Sequence, residues 1–239
     1  MMVRLARGGL ECRSSPKVST GFVRHYFRLD EDLDAILKDI DRDLHVHEAI
    51  QSYRGLRLLR QDPWECLISF VSSAASNVPK ISRCIEKMSA AHGPSLALDG
   101  MEFHGFPTPE ALARAGERSL RKCELGFRAG YIAGIARQVA KGDFDPYSLA
   151  TLPYEEAKKA LVSLKGVGEK VADCVLLFSM DKLEAFPVDR WVKRVAERLF
   201  FRGRKLSEKK VRLWGTEHYG RYAGYAQQYL FHYMRHREE

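Results

Sequence analysis

From about Asp30 onward, apolar residues recur at intervals of three and four through 31–40, 44–53, 62–74, 78–91, 128–140, 155–164, 168–181, 188–200, 207–218 and 222–236. That is the period of amphipathic helices, each with one face to bury. Polar or Gly/Pro-containing joints separate them, such as HGFPTP at 104–109 and KGDFDP at 141–146. Only the start differs. Residues 3–14 alternate apolar and polar positions on both sides of Gly8-Gly9, which predicts a hairpin whose paired glycines supply the positive φ of a tight primed turn. A lone hairpin is marginal in water, so this one either packs on the helices as an appendage or is the stub of a larger sheet. The pattern thus predicts an all-α chain with a short N-terminal β-hairpin stub and no internal repeat.

Composition narrows the class. With 239 residues and 45% apolar content the chain can bury a full core. No apolar run approaches the roughly 20 residues needed to span a bilayer, and Arg4 and Arg7 interrupt the only stretch resembling a secretory leader. The expectation is a soluble intracellular protein, in cytoplasm or nucleoid rather than nucleus, without a membrane partner and working as a monomer. The five cysteines (Cys12, Cys66, Cys84, Cys123, Cys174) form no CxxC pair, which argues against a disulfide framework, a zinc site or a clustered iron–sulfur loop. The net charge of +8 favours a polyanionic partner. Its even spread favours a folded binding face over a basic tail.

Candidate chemistry concentrates in 160–191, ALVSLKGVGEKVADCVLLFSMDKLEAFPVDRW. One helix runs into Lys165-Gly166-Val167-Gly168 and a second starts at once. Such a turn points the first free N–H groups of the second helix outward at its positive dipole end, a ready phosphate site, while Val167 plugs inward. An ordinary helical hairpin explains the tripeptide equally well. Lys170 follows in the first turn, where the dipole disfavours an ammonium and favours a nucleophilic amine. Cys174 lies one turn further on the same face. Pro187-Val188-Asp189 then opens another helix. Taken singly, Lys170 reads as a surface lysine and Asp189 as a helix cap; together, in this order behind a hairpin, they read as chemistry.

Here the chain resembles a known family. GVGEKVADC followed by VDRW looks like the core of the endonuclease III superfamily, the helix-hairpin-helix glycosylases with a Gly/Pro-rich loop and an essential aspartate. More narrowly it resembles the 8-oxoguanine DNA glycosylase/lyases, through HYFRLD at 25–30, GLRLLRQDPWECLISFVSS at 55–73, FHGFPTPEAL at 103–112, LGFRAGY at 125–131 and GYAQQYLF at 224–231. The resemblance implies two helical subdomains with a DNA-binding groove between them: 62–165 as one, 26–61 with 166–239 as the other, the latter holding the helix-hairpin-helix (155–181) and the active site, with 1–25 as the hairpin stub. It implies a Schiff base between Lys170 and the sugar C1′ of a flipped nucleotide, with Asp189 stabilising the positive charge that develops. Cys174 and Phe231 would sandwich the damaged base and Gln227 would bond its Watson–Crick edge; Gln227 and Phe231 are four apart, hence on one helix face. Phe231 alone would read as a core aromatic. Phe127 and Arg128 match positions that wedge beside the flipped nucleotide and contact its orphaned partner. Gly166, Val167, Gly168, Asn77, Lys80 and Trp191 complete the expected DNA contacts.

The implied partner is duplex DNA carrying oxidised guanine. No cofactor is required, since lysine supplies the nucleophile, although hairpin carbonyls could hold a monovalent or calcium-type ion. Other readings are a glycosylase for another damaged purine and a non-catalytic module that binds damaged DNA. Three departures from the family pattern stand out. Residues 1–20 are too few for the β domain of longer members, so the chain is either a short form or lacks an upstream segment. Within AASNVPK at 74–80, Ala75 stands where an amide is expected and Lys80 where an arginine is; neither gives a bidentate base contact. Trp191 replaces a phosphate-contacting histidine, offering a single N–H.

Overall fold

The computed structural model describes residues 1–237. Along the chain run β1 (Met2–Ala6), β2 (Gly9–Arg13), α1 (Thr20–Tyr26), α2 (Leu33–Ile40), α3 (Leu44–Ser52), α4 (Pro63–Ser72) and α5 (Val78–His92). Then come β3 (Ser95–Leu98), β4 (Met101–His104), α6 (Pro109–Lys122), α7 (Arg128–Lys141), α8 (Tyr154–Val162) and α9 (Glu169–Ser179). The chain closes with α10 (Arg190–Leu199), α11 (Glu208–Tyr219) and α12 (Ala223–Arg237). It is mainly helical, as the periodicity predicts. Short polar residues start most helices: Asp32, Asp43, Asp62, Asn77, Thr108, Asp189 and Ser207 each accept a backbone N–H of the first turn. Each such cap satisfies donors that the helix itself cannot.

Contacts divide the chain into two compact units. The first comprises residues 1–27, 62–148 and 164–166; the second, 28–61, 149–163 and 167–239. Compared with the sequence-derived boundaries, residues 1–25 group with the first unit instead of standing apart, and 149–163 belong to the second instead of ending the first. The physical reason is α8, whose buried face (Ala157, Lys158, Leu161) packs with α9.

In the first unit α4, α6 and α7 share a core of Trp64, Leu67, Ile68, Val71, Leu112, Leu120, Ile132 and Ile135, and the Trp64 indole N–H donates to the Pro107 carbonyl at 2.9 Å. α6 escapes the helical periodicity because it buries only Leu112 and Leu120 and breaks at Gly116 (φ 66°). Two antiparallel hairpins also lie here, one more than expected. β3 and β4 turn at Asp99-Gly100, both with positive φ (52° and 78°), the arrangement that Asp-Gly favours in a type I′ turn. In the β1–β2 hairpin Gly9 pairs with Ala6, so the turn residues are Arg7 and Gly8 rather than Gly8-Gly9. Of those two, Gly8 alone has positive φ (81°), and the turn is not the primed type.

The second unit buries Ile36, Ile40, Val46, Ile50, Leu161, Leu176, Phe186, Tyr219, Tyr225 and Tyr229. An ion network anchors the far end of α9: Arg28, fully buried at φ 52°, reaches Glu31 at 2.7 Å and Asp181 at 2.6 Å. Arg60 joins Asp30 and Glu31 at 2.8 Å and Asp181 at 3.0 Å. The blocks around HYFRLD and GLRLLRQDPW therefore carry structure rather than chemistry. Among the glycines of this unit Gly224 makes the closest approach. A Cβ there would lie 2.2 Å from Leu177 Cδ1 and 2.9 Å from the Ala185 carbonyl oxygen, so α12 meets α9 only through hydrogen.

Candidate active site

The turn between α8 and α9 is shaped by its glycines. Gly166 sits at φ 97°, and a Cβ on it would lie 2.5 Å from the Tyr131 ring; backbone conformation and space both demand glycine. Val167 is buried, as expected of a plug. Gly168 starts α9 in an extended conformation (φ −96°, ψ 175°) with no side-chain cap. The first-turn N–H groups of α9 thus lack a side-chain acceptor at the positive end of the dipole.

One turn into α9 three expected residues meet. Cys174 is buried, and burial raises its thiol to about 11; Lys170, hydrogen-bonded to it, pulls the other way, while Asp173 and Asp189 add to the rise. The thiol is therefore neutral, and its neighbours place Lys170 and Asp189 in one locality. Asp189 begins α10, its Oδ1 accepting from the backbone N–H of Trp191 at 2.9 Å and Val192 at 2.7 Å. The capping role and the acidic role fall on the same carboxylate.

Gln227 and Phe231 share a face of α12, with Gln227 almost fully buried and its Oε1 accepting from Gln228 Nε2 at 2.6 Å. The Trp191 ring meets Phe231 edge-on at 5.0 Å and 74°, so this indole packs against an aromatic partner. Its large apolar area gains more from ring contact than from one exposed N–H. The cavity lined by Trp191, Gln227 and Phe231 measures only about 10 Å3, room for a single water. Cys174, expected as the opposite wall of a base site, does not line this cavity.

In the first unit, Phe127 is 54% exposed at the start of α7, edge-on to Tyr131 at 6.0 Å. The Arg128 guanidinium lies over the Phe127 ring at 5.2 Å. Arg128, expected to reach a base, is instead 3% exposed and donates from Nη1 to the Ala74 carbonyl at 2.5 Å. The guanidinium props the loop in which Ala75 takes φ 51°, a conformation that needs such support. Asn77 caps α5, accepting from the Lys80 N–H at 3.0 Å, and the Lys80 side chain is exposed. Sequence reasoning missed Tyr131 behind Gly166 and a buried cluster around Asp173, because both depend on partners distant in the chain.

Among the described residues no group of three or more His, Cys, Asp or Glu is placed to hold a metal, and no helix is long and apolar enough to cross a membrane. A glycine hairpin feeding an uncapped helix, with a lysine and a helix-capping aspartate converging beside it, defines the class. Residues 68–216 match the family described as HhH-GPD superfamily base excision DNA repair protein, and 11–67 match the 8-oxoguanine DNA glycosylase N-terminal domain. The chain belongs to the HhH-GPD superfamily of base excision DNA repair proteins.

Its similarities are narrower than the superfamily. It is 34% identical over 233 residues to a probable N-glycosylase/DNA lyase of Methanothermobacter thermautotrophicus, covering 89% of this chain and 74% of that protein. It is 36% identical over 233 residues to N-glycosylase/DNA lyase OGG1 of Arabidopsis thaliana, covering 93% of this chain and 64% of the plant protein. Among solved structures, the 8-oxoguanine glycosylase/lyase of Clostridium acetobutylicum, in complex with dsDNA containing cytosine opposite to 8-oxoG, superposes with a TM-score of 0.87. That match has 37% identity and covers 91% of this chain and 74% of that one.

Proposed function

We propose that this protein is a bifunctional DNA glycosylase/lyase that removes 8-oxoguanine from duplex DNA. The observation that carries the reading is the convergence of Lys170 and Asp189 on Cys174, in a chain similar to N-glycosylase/DNA lyases. The Lys170 amine attacks the sugar C1′ of an extruded nucleotide as the bond from C1′ to the base breaks and the base leaves with the electron pair. Asp189, already fixed by two backbone N–H groups, stabilises the positive charge that develops on the sugar. The lysine nitrogen gives up one proton to the departing base and one to O4′ as the ring opens to an imine. Removal of a C2′ proton then expels the 3′ phosphate, and water hydrolyses the imine to free the enzyme.

The hairpin and the open start of α9 would hold phosphate without reading sequence. Phe127 would fill the gap left by the extruded nucleotide, offsetting part of the few kcal/mol that unstacking costs. Cys174, Gln227 and Phe231 would form the base site.

Borohydride trapping on an 8-oxoguanine duplex tests the reading. The intact protein is expected to give a covalent adduct that Lys170→Gln abolishes. An intact protein that binds the duplex yet gives neither adduct nor free base would be a damaged-DNA-binding module instead.

A further inference from the structure

α9 carries two pairs of residues four apart, Lys170 with Cys174 and Glu169 with Asp173. Successive residues turn about 100° around a helix, so the acidic pair lies beside the reactive pair and meets different neighbours. Asp173 is fully buried, a position in which an isolated carboxylate is heavily penalised. It is not isolated. Its Oδ1 accepts from the Tyr154 hydroxyl at 2.6 Å and pairs with Lys158 Nζ at 2.9 Å. Its Oδ2 lies 2.6 Å from Arg212 Nε. Glu169 shares both cations, Lys158 at 2.9 Å and Arg212 Nη1 at 3.2 Å. Burial first and Asp173 second push the Tyr154 phenol far up, keeping it a donor, and the bond from Lys158 holds Glu169 below its ordinary range.

Tyr154 and Lys158 come from α8 and Arg212 from α11. The contacts therefore fix the rotation of the first turn of α9 from two sides. The directly paired groups also balance, Glu169 and Asp173 against Lys158 and Arg212.

We propose that Asp173 is a positioning residue for the reaction: the cluster of Glu169, Asp173, Lys158 and Arg212 sets the direction in which α9 presents Lys170 and keeps that turn electrically neutral. This inference rests on the glycosylase/lyase reading. The charged and titratable groups around the turn include Glu169, Asp173 and Cys174 on α9, Tyr154, Glu155 and Lys158 on α8, Asp189 at the start of α10, and Lys209 and Arg212 on α11.

The test is single-turnover excision from an 8-oxoguanine duplex across pH, with borohydride trapping alongside. The proteins are the intact chain, Glu169→Gln, Asp173→Asn, Arg212→Met and the double variant Asp173→Asn/Arg212→Met. Removing an acid leaves an unbalanced cation that disfavours an ammonium nearby, so the acid limb of the rate profile moves down by about one pH unit; removing Arg212 moves it up by a similar amount. The double variant restores balance and brings the limb back. The maximal rate falls about tenfold or more in Asp173→Asn as the amine loses its aim. Glu169 is 56% exposed at its side chain, so Glu169→Gln gives the downward shift even if Asp173→Asn proves too unstable to assay. Single variants whose limbs stay put, or all move the same way, would overturn the proposal. Absence of any adduct from the intact protein would instead remove the reading beneath it.

Discussion

α9 and α10 are neighbours in the chain and begin in opposite ways. α10 opens on Asp189, whose carboxylate takes two first-turn N–H groups. α9 opens on Gly168, which has no side chain to offer them. Both starts are extended, so the contrast lies in the side chain and not in the backbone. A capped start is closed to anions because its donors are spent, and it holds a negative charge in place; an uncapped start leaves its donors for a ligand and supplies none of that charge. The two helix starts thus differ in what they offer a ligand, open donors at α9 and a fixed carboxylate at α10. In the proposed reading the phosphate end falls to α9, and the carboxylate that would serve the sugar falls to α10.

The sharpest way to break that division is to remove the charge of Asp189 while keeping its cap. Asparagine caps about as well as aspartate, so Asp189→Asn should melt close to the intact protein and bind DNA undiminished. Loss of an electrostatic stabiliser of this kind costs about 100- to 1000-fold in rate, and single-turnover base release is the measurement. Wild-type turnover in Asp189→Asn would leave the aspartate a cap and nothing more.

The reverse change closes the other start. A Cβ at Gly168 meets nothing within 4 Å and φ is −96°, so an aspartate fits there. Gly168→Asp would cap α9 and set a carboxylate where the phosphate should dock. The variant should fold at least as well yet bind duplex DNA about tenfold more weakly, with a shallower dependence on salt as phosphate contacts are lost. Titrating a fluorescent duplex at two salt concentrations checks this; unchanged affinity would move the phosphate site elsewhere.

This division was legible in the chain because it is local. Gly166, Val167, Gly168, Lys170, Cys174 and Asp189 fall within one stretch, and helical spacing sets their faces. The β3–β4 hairpin was equally local, set by Asp99-Gly100, but its strands of four residues each are too short to give a strong alternation. What the sequence hid depends on distant partners. Arg128 looks like a surface residue until Ala74 is seen to accept from it. Trp191 looks like a phosphate ligand until Phe231, forty positions later, is found against its edge. Asp173 looks like a helix-surface acid until Tyr154, Lys158 and Arg212 enclose it.

Arg128 carries the comparison to the first unit, where α7 also starts without a side-chain cap. There the side chains expected to read the partner base are buried, short or single-headed: Arg128, Ala75 and Lys80. A good bidentate pair gives about 1–3 kcal/mol of discrimination, and none is presented. Excision rates with C, T, G or A opposite 8-oxoguanine should therefore lie within about tenfold of one another, since roughly 1.4 kcal/mol separates a decade. A strong preference for cytosine would mean that Arg128 leaves the Ala74 carbonyl when DNA binds.

The smallest expected effect concerns the other end of α10. Glu197 sits near the helix C-terminus, where the dipole disfavours an acid, yet it accepts from Lys193 at 2.8 Å, the Leu206 N–H at 2.8 Å and Lys205 at 3.2 Å. Those partners, Lys193 foremost, hold its carboxyl at about 2 against an ordinary 4.5. A depressed carboxyl contributes stability that is complete above the ordinary value and lost as pH falls toward the folded one. Glu197→Gln should therefore lower the melting temperature at neutral pH, and its curve should rejoin that of the intact protein as pH drops from 4.5 toward about 2. A gap that persists unchanged through that range would assign the loss to packing and not to charge, and would make α10 a helix whose only working acid stands at its start.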